Sequence, residues 1–84
     1  MSRLSRPIDR AMFLRAIAEI NRREPASAVK IAERLQIPKV DARDLAADEV
    51  RDGYLVVHPI RNAQNRYVSY RLTPMAESMI GAAV

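Results

Sequence analysis

The sequence has no cysteine and no tryptophan, and only one phenylalanine, one histidine and two glycines. Without cysteine there is neither a disulfide framework nor a thiolate-ligated metal, so the hydrophobic core must hold the chain alone. A single histidine, His58, is no zinc site by itself. With no cysteine and one histidine, the sequence offers no nucleophile–base pair that can be proposed for covalent catalysis. Gly53 and Gly81 are too far apart to form a glycine-rich phosphate loop. No apolar run approaches the roughly 20 residues of a membrane span. Residues 1–9 alternate Arg, Ser and Pro with single apolar residues, where a secretory signal would be continuously apolar. These absences argue against an enzyme, a cofactor protein and a membrane protein. They lead us to expect a cytoplasmic binding protein that uses no cofactor.

What is present is short and aliphatic. Eighty-four residues suffice for one compact core and not for two, so a single domain over residues 1–84 is expected. Hydrophobic residues make up 49% and aromatics 5%. Such a core, of Ala, Ile, Leu, Val and Met, suits closely packed helices. The net charge of +4 favours an anionic partner in a general way. The charge is unevenly spread: six arginines face three acids in residues 1–26, five cations face six acids in 27–52, and three arginines face one acid in 53–84. The ends are basic and the middle is not.

Periodicity divides the chain into helices and then strands. In residues 8–23, Met12, Phe13, Ala16, Ile17 and Ile20 fall on one side of a 3.6-residue period, opposite Arg15, Glu19 and Arg22, and Pro25 ends this amphipathic helix. Ser27 is a good N-cap for a second helix carrying Val29, Ile31, Ala32 and Leu35 and ending near Gln36. Pro38 suits the first turn of a third helix, whose inner side is Ala42, Leu45, Ala46 and Val50 and whose stop is Gly53. Beyond Gly53 the pattern alternates. Residues 54–58 and 67–72 read as an antiparallel strand pair, with residues 59–66, rich in Asn, Gln and Arg, as the hairpin tip. Thr73-Pro74 then reads as an N-cap and first helical position of a short last helix through Met75, Met79 and Ile80.

Three helices, a two-stranded hairpin and a short C-terminal helix make an α+β, mainly helical order. Within it, Ala28-Val29-Lys30-Ile31-Ala32-Glu33-Arg34-Leu35-Gln36-Ile37, the 15 residues 38–52 and Gly53-Tyr54-Leu55-Val56 resemble the helix-turn-helix of MarR- and PadR-type bacterial regulators. Tyr70-Arg71-Leu72-Thr73-Pro74 is similar to the Leu-Thr-Pro with which the last wing strand of those regulators enters the next helix. The resemblance covers roughly residues 27–80. It departs at Gln36, where the family usually has Gly, and at Ala76, which replaces the Gly that commonly follows Thr-Pro. It implies a winged helix-turn-helix fold and binding of double-stranded DNA, with two-fold dimers as the usual state.

The resemblance implies these roles: Lys39 and Arg43 in the major groove, Ser27 and Lys30 on flanking phosphates, and Arg61 and Arg66 on the minor groove or backbone. Asn65, with Asn62 and Gln64, belongs to the polar wing tip. Asp41 and Asp44 would lie near DNA, where an Asp can accept a hydrogen bond from cytosine. The third helix also raises a difficulty, because Asp41, Asp44, Asp48 and Asp52 share a helical side, the outer one if Ala42, Ala46 and Val50 point inward. An acidic face repels phosphate. The alternative is therefore a winged-helix module that binds a protein through this helix and not DNA. Arg3, Arg6 and Arg10 read as an arm on the DNA backbone or as a charged tail. Residues 8–20 and 75–84 are the segments apolar enough for a homodimer contact. The expected core is Phe13, Ile17, Ile31, Ala32, Leu35, Ala42, Ala46 and Leu55. Leu35→Ala is then expected to cost about 2–5 kcal/mol in chemical denaturation, and a loss under about 1 kcal/mol would put Leu35 at the surface.

Overall fold

Pro25 turns the chain out of its first helix, and the next two residues enter a sheet. The computed structural model describes residues 8–61 and 66–81. Its elements are α1 (Arg10–Asn21), β1 (Ala26–Ser27), α2 (Ala28–Leu35), α3 (Lys39–Arg51), β2 (Leu55–Arg61), β3 (Arg66–Leu72) and α4 (Pro74–Ile80). The expected α+β, mainly helical winged fold is observed, with one addition. Ala26 and Ser27 pair antiparallel with Tyr70 and Ser69, so the sheet has three strands in the order β1-β3-β2. Two residues are too few to show an alternating pattern in sequence.

The core lies where α1 meets α2, the sheet and α4. All eight expected core residues are buried, and Leu14, Ile20, Ala26, Ile37, Tyr70 and Ala76 join them. Leu14 is fully buried, whereas Met12, expected on the inner side, is 38% exposed. Because α1 is covered on several flanks, its buried arc is wider than, and rotated from, the single stripe that an amphipathic pattern suggests. The Asp9 side chain caps this helix, accepting from the Met12 N–H at 2.8 Å.

The helix-turn-helix is built from local signals. Ser27 Oγ accepts from the Lys30 N–H at 3.3 Å and starts α2. Gln36 ends it by entering the left-handed region itself, at φ 57° and ψ 48°, and the Ile37 N–H then closes back on the Ala32 carbonyl at 3.1 Å. Ile37 is buried, which holds the turn against the core. Pro38 stands one position before α3 as its N-cap, with extended backbone, and its carbonyl accepts from the Asp41 and Ala42 N–H groups.

At its other end α3 stops as Gly53 takes φ +89°. The Tyr54 N–H donates back to the Glu49 carbonyl at 2.8 Å, the long bond of a Schellman motif. Thr73 fastens three elements here: its hydroxyl donates to the Gly53 carbonyl at 2.8 Å, its N–H donates to the Tyr54 carbonyl, and its Oγ1 accepts from the Ala76 N–H to cap α4. Pro74 occupies the first turn of α4, as expected.

Arg10 is neither arm nor tail. It lies in α1, donates from Nε to Glu49 and from Nη2 to Asp52, both at 2.8 Å, and covers the Tyr54 ring at 4.3 Å from its centroid. Desolvation lowers its pKa, but the charges of Glu49, Tyr54 and Asp52 and the hydrogen bond to Glu49 outweigh it, and the net direction is up. The positions of its partners, about 40 residues away, cannot be read from local pattern.

The strands also run further than expected, β2 to Arg61 and β3 from Arg66, with Pro59 inside β2 opposite Val68. A proline is tolerated there because β2 is an edge strand. Left-handed backbone costs a non-glycine residue about 1–2 kcal/mol, offset by about 0.4–1 kcal/mol through glycine's freer unfolded state. Gln36→Gly is therefore expected to stabilise the fold by up to about 1.6 kcal/mol, read as a higher urea midpoint at constant m-value. A lower midpoint would show that the Gln36 side chain itself stabilises the turn.

Candidate nucleic-acid interface

The turn at Gln36 sets α2 and α3 side by side, and β3 passes the N-terminal end of both. Between them lies an open cleft of about 520 Å³, lined by Ser27, Ala28, Val29 and Lys30 from the α2 end, Lys39 and Arg43 from α3, and Tyr67, Val68 and Tyr70 from β3. Four residues singled out from sequence, Ser27, Lys30, Lys39 and Arg43, therefore share one cavity. Lys39 and Arg43 are exposed and, among the described residues, form no ion pair; Lys30 reaches Glu24 at 3.5 Å with both side chains in solvent. Such a contact contributes little and is readily exchanged for another anion.

The remaining expected residues are distributed differently. Asp44 is exposed on α3, outside the cleft. Asp41 is 3% exposed, and it cannot lie on the outer side with Asp44 and Asp48 as expected. The inner side of α3 is centred on Ala42, Ala46 and Glu49 and extends to Asp41 and the half-buried Leu45, so the burial arc is wider than a reading from alanines alone gives. As an acid in the first turn, Asp41 suits the positive end of the helix dipole. Arg61 and Arg66 are backbone partners, the last described pair of β2 and β3. The expectations for Asn62, Gln64 and Asn65, and for Arg3 and Arg6, lie outside the described residues.

Of the acids of α3, Asp41 and Glu49 are buried, whereas Asp44, Asp48 and the C-capping Asp52 are exposed. Glu49 and Asp52 are tied to Arg10, and Asp48 accepts from Arg51 at 2.5 Å. What sequence reasoning missed is the apolar lining of the cleft. Val29, counted only among the apolar residues of α2, is 43% exposed, and Tyr67 and Val68 are 39% and 40% exposed on the part of the wing that runs past the core. Nothing local separates these from core residues. The signal is their distance along β3 from the buried Ser69–Tyr70 pair, which only the folded topology reveals.

A larger groove, about 730 Å³, is framed by Arg15, Glu19 and Arg22 of α1, Val56 of β2, Arg71 and Leu72 of β3, and Glu77 and Ile80 of α4. Its charges are mixed, Glu19 is paired with Arg34, and the Asn21 amide donates to the Tyr70 carbonyl at 3.1 Å. It contains none of the helix-turn-helix cations. The helix-turn-helix cations converge on the smaller cleft, which is the candidate interface.

Four helices with a three-stranded antiparallel sheet, a short turn between α2 and α3 and a β2–β3 wing define a winged helix-turn-helix fold. The same fold is found in a MarR protein of Staphylococcus aureus, solved in complex with salicylate and kanamycin, with a TM-score of 0.57 and 17% sequence identity. The similarity covers 82% of this chain and 45% of that one, so the present chain spans less than half the length of that protein. No family model matches the sequence, and no curated protein matches it either. Among the described residues, no helix is long and apolar enough to cross a membrane.

Proposed function

We propose that this chain binds double-stranded DNA as a small transcriptional regulator or nucleoprotein-organising protein, with α3 in the major groove and the wing against the minor groove or backbone. The observation that carries this reading is the convergence of Ser27, Lys30, Lys39 and Arg43 on one cleft beside β3. A duplex presents one phosphate charge per roughly 1.7 Å of axis, and cations held at the mouth of a cleft displace its counterions. The winged-helix fold, shared with MarR, supports the same reading.

The objection that an acidic third helix would repel phosphate loses most of its force. Asp41 is buried, and Asp48, Glu49 and Asp52 each meet an arginine. The N-terminal half of α3 then offers Lys39 and Arg43 with Asp44, a net positive surface. The rival reading, a protein partner on the acidic helix, rests on the exposed Asp44, Asp48 and Asp52, of which Asp48 and Asp52 already meet arginines. For a homodimer, residues 8–20 are largely occupied by the core, and α4, with Met75 49% and Met79 45% exposed, is the better candidate.

In fluorescence-anisotropy titrations of a random duplex at two salt concentrations, Lys39→Ala and Arg43→Ala are each expected to weaken binding. Each should reduce the slope of log K against log salt by about one. Arg66→Ala is expected to do the same from the wing, and Asp48→Ala to leave affinity unchanged or slightly higher. Absence of salt-dependent duplex binding by the unaltered chain would sink this reading. Weakened binding of a protein by Asp44→Ala or Asp48→Ala would favour the rival one.

A further inference from the structure

Resting on the DNA-binding reading, we infer that α3 is sequence-selective, and that Val40 reads the methyl group of a thymine lying within two base steps of a guanine read by Arg43. Val40 is 50% exposed, more than any other large apolar side chain described. At 3.6 residues per turn, the point of α3 opposite Ala42, Ala46 and Glu49 lies between Val40 and Asp44, with Ala47 and then Arg43 to one side and Asp48 to the other. A β-branched residue at an exposed helical position gives up some helix propensity, and among the described residues Val40 is not packed against the core cluster.

The chemistry of base edges assigns the partners. Thymine is the only DNA base with a methyl group in the major groove, and an apolar side chain there is its natural contact. Facing the exposed N4 or N6 amino groups, it would instead exclude water without replacing the hydrogen bonds. Arg43 carries the fork that fits guanine O6 and N7 together. It lies three residues beyond Val40, about 4.5 Å along the helix axis, which is comparable with one or two base steps of about 3.4 Å. Ala47, small and on the same outward arc, leaves room for a base edge to approach.

The test begins with selection of bound sequences from a randomised duplex library by the full chain at moderate salt. The enriched sites are expected to contain a thymine within two steps of a guanine. Replacing each thymine of such a site singly by deoxyuridine removes only the methyl group, and at one position affinity is expected to fall about fourfold. Val40→Ala should abolish this thymine–uracil difference and keep the salt slope, whereas Val40→Ile should retain it. Val40 is exposed, and circular dichroism of both variants checks that they fold. Three results overturn the inference while leaving DNA binding intact: salt-dependent binding without any enriched sequence, equal affinity for every deoxyuridine duplex, or discrimination that persists in Val40→Ala. If the unaltered chain shows no salt-dependent duplex binding, the DNA-binding reading fails and this inference falls with it.

Discussion

The reversal at Gly53 holds the two halves of the candidate interface, α3 and the wing, in register. With φ at +89°, Gly53 lets Tyr54 close back on Glu49, and β2 begins only three residues beyond the end of α3. Thr73 then bonds to the Gly53 and Tyr54 carbonyls, fixing the far end of β3 to the same point. Arg10 ties α1 to Glu49 and Asp52 in this junction. The wing and α3 thus share one anchor, and the cleft that faces Lys39 and Arg43 is set by it. A side chain added at Gly53 would have to adopt a left-handed backbone, whereas the nearest atom, the Met75 Cε at 3.3 Å, belongs to a half-exposed side chain with room to shift, so conformation is what constrains the position.

How much of this was legible in the sequence depends on the range of the interaction. The Ser27 cap, the Thr73-Pro74 start of α4 and the Gly53 stop each act within a few residues, and all three stand where the pattern put them. The change from a helical to an alternating period after Gly53 was equally visible. Leu14 was missed, and Met12, Arg10 and Asp41 were misplaced, because their environments come from elements distant in sequence. A helix covered on several flanks buries more than one stripe, and a polar residue at the margin of the wider arc reads locally as exposed. The site divides along the same line. Its cations could be found by resemblance and spacing, whereas Val29, Tyr67 and Val68 became cleft residues only when β3 passed the N-terminal ends of α2 and α3.

The apolar part of the cleft changes how the cations there would act. A lysine beside Val29 and Val68 works against a surface less polarisable than water, so its field on a bound phosphate is screened less than that of a fully solvated lysine. The same side chains would exclude water from beside the deoxyribose, a mostly apolar surface. Charge and burial therefore act together at this surface.

The proline in β2 has a consequence beyond the strand that holds it. β2 is the open edge of the sheet, and its segment from Leu55 to Ile60 combines Val56, Val57 and Ile60 with no charged side chain. A strand of that composition, with an unpaired edge, is a template on which a second chain could add and start an aggregate. Pro59 has no N–H to offer an incoming strand, and its ring obstructs a regular ladder at that point. A wing this apolar can thus project from the core into solvent and still remain the last strand of its sheet.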